Sequence, residues 1–120
     1  MAKSEEAKKD LYQNLDLSVL DRLMVAELLP ARQDITMLRL IRVFRESLSF
    51  SQEELAILDF QPGPENQGLQ WKDEGAARVG IKRVSVPVAI YLDLQEKLKQ
   101  LNADKQLTAG HMDLYERLVG

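Results

Sequence analysis

Hydrophobic side chains recur at helical spacing along the segment from Asp34 to Leu58, with polar side chains at the positions between them. Each residue turns an α-helix by about 100°, so the apolar residues of the first half of this segment share one face. They are Met37, Leu40, Ile41, Phe44 and Leu48. The opposite face carries Arg39, Arg42, Arg45 and Glu46. Asp34 is a suitable N-cap, because its carboxylate can accept hydrogen bonds from the first free amides of the helix.

Another helix is predicted before this one. Ser18 and Asp21 are spaced as a capping box, in which the hydroxyl and the carboxylate each satisfy a backbone amide. Leucine and methionine residues then recur at helical spacing until Pro30, which cannot continue a helix. The pattern predicts a helix over about Val19–Leu29.

A third helix is predicted to begin at Gln52. Ser51 and Glu54 form a second capping box in front of it. Phe50 and Leu55 stand where a hydrophobic staple would pack and set the direction in which the chain enters the helix. These are structural signals, and they indicate no chemistry.

The middle of the chain has the alternation of a small antiparallel sheet. Leu58 and Phe60 alternate with polar residues, and so do Leu69 and Trp71. The residues between these two segments are rich in proline, glycine and asparagine, so the segments are predicted to form a hairpin. Trp71 is interpreted as a lid on the core and not as a platform for a ligand.

A third strand is predicted after a loop at residues 73–77. Its apolar residues change phase, since Val79 and Ile81 would point to one face and Val84 and Val86 to the other. Such a change indicates a β-bulge, here near Lys82 or Arg83.

Two helices are predicted in the last third of the chain. Pro87 suits the first turn of a helix, where a missing amide costs nothing. The buried stripe of this helix is predicted as Tyr91, Leu94, Leu98 and Leu101. Thr108 is the predicted cap of the last helix, whose apolar face consists of Met112, Tyr115, Leu118 and Val119. The short connector between them favours an antiparallel helical hairpin.

These elements predict an α+β fold. It has about five helices, three N-terminal and two in a C-terminal hairpin, around a small three-stranded antiparallel sheet. Residues 1–16 are predicted as a flexible N-terminal segment and residues 17–120 as a single globular domain.

Composition narrows the classes of function. The 120 residues are 45% hydrophobic and include no cysteine, which excludes disulfides and thiolate chemistry. No apolar run is long enough to span a membrane, and the charged start MAKSEEAKKD lacks the apolar core of a secretory signal. We therefore expect a cytoplasmic protein without membrane association. A net charge of −3 is not that of a protein that binds phosphate backbones through bulk charge.

The chain offers few residues for catalysis or metal binding. His111 is its single histidine and is predicted to be exposed in the first turn of the last helix. No closely spaced carboxylates complete a metal site around it, and no nucleophile is paired with it. The glycines form neither a phosphate-binding loop nor a dinucleotide fingerprint. We expect no enzyme activity, no cofactor and no metal.

One segment resembles the helix-turn-helix repressors, in which an arginine-bearing helix is followed by Ser-Gln-Glu-Glu-Leu-Ala. The matching residues are Arg42, Arg45, Glu46, Ser51, Gln52, Glu53, Glu54, Leu55 and Ala56. In that family a tight turn and a base-reading helix follow at once. Here Pro62 and Pro64 flank Gly63, and proline cannot sit inside a helix. The resemblance therefore ends where DNA recognition would begin, and we interpret it as misleading.

A broader pattern resembles small uncharacterised proteins of tailed bacteriophages and prophages. It consists of Leu28-Leu29-Pro30, the helix from Thr36 to Arg45, Phe50-Ser51 with Glu53-Glu54, Trp71, and the closing Leu114-Tyr115-Glu116-Arg117. The resemblance implies a compact accessory protein that acts by binding, in host modulation or in particle assembly.

The sequence leaves three hypotheses open. The first is a non-enzymatic protein that binds another protein or associates with itself. The second is a nucleic-acid or nucleotide-binding protein that uses Arg39, Arg42 and Arg45, with Arg32 or Arg83 nearby. The third is an enzyme whose site is assembled from residues far apart in the sequence. The arginine face is compatible with a functional surface and with a simply solvated one.

Overall fold

A two-stranded antiparallel ribbon, with helices packed against one of its faces, forms the body of the protein. The computed structural model describes residues 11–64 and 68–120. In chain order the elements are β1 (Tyr12–Leu17), α1 (Val19–Leu28), α2 (Ile35–Leu48), α3 (Gln52–Leu58), β2 (Gln61–Pro62), β3 (Leu69–Gln70), α4 (Asp73–Val79), β4 (Lys82–Pro87), α5 (Val88–Ala103) and α6 (Met112–Leu118). A 3₁₀ turn, Ala109–His111, leads into α6.

The fold class is α+β, as predicted, but the elements differ in number and pairing. Within the two described ranges there are six α-helices and two separate two-stranded antiparallel sheets. The predicted single three-stranded sheet is therefore wrong. β2 and β3 form a hairpin, as predicted, but its first strand is Gln61–Pro62, and Leu58, which was predicted to be extended, is the last residue of α3. β4 pairs with β1.

The β1–β4 ribbon shows a regular alternation of buried and exposed residues. Its register runs without interruption from the pair Tyr12–Pro87 to the pair Leu17–Lys82. Leu15, Leu17, Val84 and Val86 face the core. The predicted bulge near Lys82 or Arg83 is wrong, because Val79 belongs to α4 and so never contributes to the strand.

The first strand was not predicted. The segment YQNLDL has no β-branched residue, and its two inward leucines were outweighed by the polar residues around them. The predicted flexible segment, residues 1–16, therefore extends too far, because residues 12–16 lie in β1. The remainder of that prediction, residues 1–10, lies outside the described residues.

Residues 73–77 form the start of α4 and not the predicted loop. Asp73 and Glu74 lie in its first turn, where negative charge stabilises the positive end of the helix dipole. Gly75 allows a close approach to α3, since a Cβ atom at this position would lie 2.6 Å from the carbonyl oxygen of Ile57. Gly80, with φ of 73°, ends the helix.

The main core lies between the ribbon and helices α1, α2, α5 and α6. On α2 the predicted face is found, with Ile41, Phe44 and Leu48 buried and Met37 and Leu40 packed against them. The predicted stripes of α5 and α6 are largely found. On α5, Leu94 and Leu98 are buried, Tyr91 and Leu101 pack against the core, and Ile90 is buried as well. On α6, Leu118 is buried and Tyr115 and Val119 pack against the core, whereas Met112 is exposed and Leu114 is buried instead.

A smaller cluster lies apart from the main core, around the β2–β3 hairpin. Phe60 packs edge-on against Phe50, with ring centroids 5.4 Å apart, and against Trp71, at 5.9 Å. Leu58 is fully buried yet does not belong to the main cluster. Trp71 is half-buried and thus covers this smaller cluster, not the main core as predicted.

Candidate interaction surface on helix α2

Helix α2 is held at both ends by side-chain hydrogen bonds. The Asp34 carboxylate accepts from the Met37 amide at 2.8 Å, as the sequence predicts. At the other end the Ser49 hydroxyl donates to the carbonyl oxygen of Glu46 at 2.6 Å. With its apolar face in the core, the helix therefore presents its remaining face in a fixed orientation.

The outward face of α2 carries two exposed apolar residues among its charges. Ile35 is 61% exposed and Val43 is 64% exposed. Arg39 lies between these two residues along the helix, and Glu46 lies about one turn beyond Val43 on the same side. Arg42 lies one turn before Glu46. We call these five residues the α2 surface.

The arginines predicted to bind a partner or an anion, Arg39, Arg42 and Arg45, are all exposed. Across residues 11–64 and 68–120, none of them lies within ion-pairing distance of a carboxylate. Successive arginines are three residues apart, so their side chains differ in direction by about 60° around the helix axis. Arg39 and Arg45 are therefore about 120° apart, and the three do not converge on one point.

A groove lies between α2 and the outer face of the ribbon. Its volume is about 530 Å³, and its wall is mostly apolar. The residues that line it include Tyr12, Arg39, Leu40, Val43, Phe44 and Pro87. Arg39 is thus the one member of the predicted arginine set that lines this groove. We call this feature the α2 groove.

A buried arginine fixes the turn between α2 and α3. Arg22 of α1 has no exposed side-chain area and donates to the carbonyl oxygens of Leu48 and Ser49. Its guanidinium lies 3.9 Å above the ring centroid of Phe50 and pairs with Glu54 at 3.0 Å. The hydrogen bond from Arg22 lowers the pKa of Glu54, and the hydrogen bonds at Ser51 act in the same direction.

Arg22 is a structural residue that the sequence pattern does not reveal. It stands among the leucines of α1 with nothing in the local pattern to mark it as buried. The Glu54 carboxylate was predicted as the cap of α3, and that prediction is confirmed by its hydrogen bond to the Ser51 amide. Its second role as the partner of Arg22 depends on a residue 32 positions away, which local spacing does not show.

The outer face of the ribbon carries a second ion pair. The Nε atom of Arg83 donates to the Oδ1 atom of Asp16 at 2.8 Å. This hydrogen bond lowers the pKa of Asp16 and raises that of Arg83. Arg83, named with Arg32 as a neighbour of the arginine face, is therefore already paired. Arg32 is exposed in the connector before α2.

A further cavity lies between α3 and α4, and the single histidine lies just before α6. The cavity between α3 and α4 is lined by Glu53, Lys72, Glu74 and Arg78, all of which are exposed and remain in water. His111 ends the 3₁₀ turn, half-buried, and its Nδ1 atom accepts from the Thr108 amide at 2.9 Å. Within residues 11–64 and 68–120, no group of three His, Asp or Glu side chains is arranged to hold a metal ion.

None of the helices in the described part of the chain has the length and apolarity required to cross a membrane.

The segment that resembles helix-turn-helix repressors folds as α2, a short turn and α3. Asp59, with φ of 49°, ends α3 in the left-handed conformation. The β2–β3 hairpin follows, and the next helix in the described residues, α4, begins only at Asp73. Asp73 and Glu74 place negative charge at its start, which is unfavourable for contact with phosphates.

Comparisons of the chain with protein-family models, with curated protein sequences and with solved structures gave no match.

Proposed function

We propose that this protein acts by binding another protein through the α2 surface and the α2 groove, without catalysing a reaction. One observation carries the proposal. Val43, in the middle of α2, is 64% exposed beside a largely apolar groove of about 530 Å³. Exposed apolar area that continues into a concave wall and is rimmed by charge is typical of a protein-binding site.

The chemistry of the α2 groove favours a protein over a small substrate. Its polar lining groups, apart from Arg39, are the hydroxyl groups of Thr36, Ser47, Ser85 and Tyr12. An enzyme site needs titratable groups that converge in a water-excluded place, where their pKa values are tuned. Tyr12 and Val43 are themselves exposed, so the groove is open along its length and suits the side chains of a partner.

The wider role that we propose is that of a small accessory protein. The resemblance to proteins of tailed bacteriophages supports host modulation or particle assembly as the setting. The lack of cysteine supports a cytoplasmic location.

The test is substitution of Val43 by Glu, which places a charge at the centre of the α2 surface. We expect the variant to lose its complex with the partner, measured by affinity capture from the source cell and by light scattering. Ile81→Glu is the matched control, since Ile81 is also 64% exposed but lies at the far end of the ribbon. Capture that survives Val43→Glu, or that fails equally with Ile81→Glu, would remove the proposal.

Nucleic-acid or nucleotide binding is the second candidate function. The observation that favours it is that Arg39, Arg42 and Arg45 are exposed and have no carboxylate at ion-pairing distance among the described residues. Arginine presents a fork of donors that suits phosphate. Glu46 on the same helix and the net charge of −3 weigh against this candidate.

A further inference from the structure

We propose that the partner that fits the α2 surface is a second copy of this chain, with the two α2 helices packed antiparallel about a twofold axis. This inference rests on the proposed function, since it names the occupant of the same surface. The α2 surface is self-complementary in charge at Arg39 and Glu46, and it carries exposed apolar area that a second copy would cover.

Charge complementarity comes from the spacing of Arg39 and Glu46. Seven residues make about two turns, so the two side chains lie within about 20° of each other and about 10 Å apart along the helix. Neither is ion-paired in the described part of the chain. In an antiparallel pair centred between Arg42 and Val43, each Arg39 faces the Glu46 of the other copy. A twofold contact makes this pairing twice.

The direction of the two helices follows from the same pairing. A parallel arrangement in register would place Arg39 against Arg39 and Glu46 against Glu46, and like charges in contact are repelled. Arg42, one turn before Glu46, could neutralise Glu46 within the helix. The two are not ion-paired in the structure, however, which leaves the Glu46 carboxylate accessible.

The apolar part of the contact comes from Val43 and the neighbouring α2 groove. Val43 lies about midway between Arg39 and Glu46 and also lines the groove. The twofold axis brings the Val43 side chains of the two copies together, beside both grooves. Ile35, one turn before Arg39, then reaches the end of the partner helix. Ile35 and Val43 are 61% and 64% exposed in the single chain, and contact with the second copy would cover them.

The experiment is sedimentation equilibrium of four forms of the full chain. These are the wild type, Arg39→Glu, Glu46→Arg and the double reversal Arg39→Glu/Glu46→Arg. We expect a reversible wild-type dimer that each single reversal weakens by about tenfold or more, because like charges then face each other at both pairs. The double reversal restores opposite charges and so restores the dimer.

Mixing the two single variants gives the sharpest result. Neither Arg39→Glu nor Glu46→Arg pairs well with itself, but an equimolar mixture places opposite charges at both contacts. We expect heterodimers in the mixture at concentrations where each variant alone is monomeric. Circular dichroism checks that each variant is folded, which we expect because both positions are exposed.

Three results would overturn the inference: a monomeric wild type at all concentrations, a double reversal that stays monomeric, or single variants that do not associate when mixed. The proposed function is tested separately. A monomeric chain that still captures another protein through Val43 refutes self-association alone, whereas capture that is insensitive to Val43→Glu refutes the proposed function.

Discussion

Arg22 and Glu54 form an ion pair that joins helix α1 to the start of helix α3, with 3.0 Å between Nη1 and Oε2. The arginine side chain is fully buried, and the carboxylate is one-quarter exposed. Because Arg22 also donates to the last carbonyl groups of α2, it satisfies groups that the end of that helix leaves free. One side chain therefore fixes how α1, α2 and α3 meet.

Substitution of Arg22 by Met is expected to lower the free energy of unfolding by about 3 kcal/mol. Methionine has a similar volume, so the loss comes from the carbonyl oxygens of Leu48 and Ser49, which are left without a donor, and from the unpaired Glu54. Urea denaturation followed by circular dichroism measures the change. Arg32→Met is the control, since Arg32 is exposed, and we expect a change within about 0.5 kcal/mol. Equal effects of the two substitutions would contradict the structural role of Arg22.

The stability of the protein should fall in acid in part through Glu54. Its pKa is lower in the folded chain, chiefly because Arg22 donates to the charged form. A group with a lowered folded pKa contributes stability above its ordinary pKa, about 4.3 for glutamate, and loses that contribution as the pH falls through the lower folded pKa. We therefore expect Glu54→Gln to reduce the slope of unfolding free energy against pH in this acid range.

Two comparisons show whether that slope belongs to the Arg22–Glu54 pair. In a background that already carries Arg22→Met, the further change Glu54→Gln should alter the slope much less. Asp16→Asn removes a carboxylate whose pKa is lowered by Arg83, but this pair is exposed and screened by water, so a smaller effect is expected. A slope that is the same with and without Glu54 would contradict the assignment.

The sequence predicts the helices of this fold better than its strands, and the reason is the range of the interactions. The caps at Ser18, Asp34 and Ser51 are formed by side chains three residues from the amides that they satisfy, so local spacing shows them. β1 is different. It is a strand because Leu15 lies opposite Val84, and that pairing partner is far along the chain.

The candidate site follows the same rule. The amphipathic pattern of α2 correctly separates buried residues such as Phe44 from exposed ones such as Arg39. It cannot show that Tyr12 and Pro87, paired across the ribbon, close a groove beside Val43. Nor can it show that Arg83, grouped with the helix arginines from sequence, is paired with Asp16.

Substitution of Gly75 by Ala should destabilise the protein, although alanine is the better helix former. An added Cβ atom would lie 2.6 Å from the carbonyl oxygen of Ile57, which belongs to the backbone of α3 and cannot rotate away. We expect a loss of about 1–3 kcal/mol in unfolding free energy, the usual cost of forcing extra volume into a packed contact.

Gly110→Ala is the matched control for that substitution. There the Cβ atom would meet the Cε atom of Met24 at 3.2 Å, and a methionine side chain can move. Thermal unfolding of both variants distinguishes them. If Gly75→Ala raised the stability by about 1 kcal/mol, as in an exposed helix, α4 would not be packed on α3 as described.

The two candidate functions of the arginine face predict different effects at Arg39 and Arg45. The two residues are about 120° apart on α2, and only Arg39 lines the groove. For protein binding, Arg39→Ala should weaken the complex and Arg45→Ala should leave it nearly unchanged. For nucleic-acid binding, removal of any arginine that contacts a phosphate should reduce the magnitude of the slope of log K against log salt by about 0.9. This holds whether or not the arginine lines the groove. We expect the unequal result, measured by sedimentation for the protein complex and by fluorescence anisotropy with a labelled DNA duplex at several salt concentrations. A measurable duplex complex that both substitutions weaken to the same extent would establish the second function in place of the first.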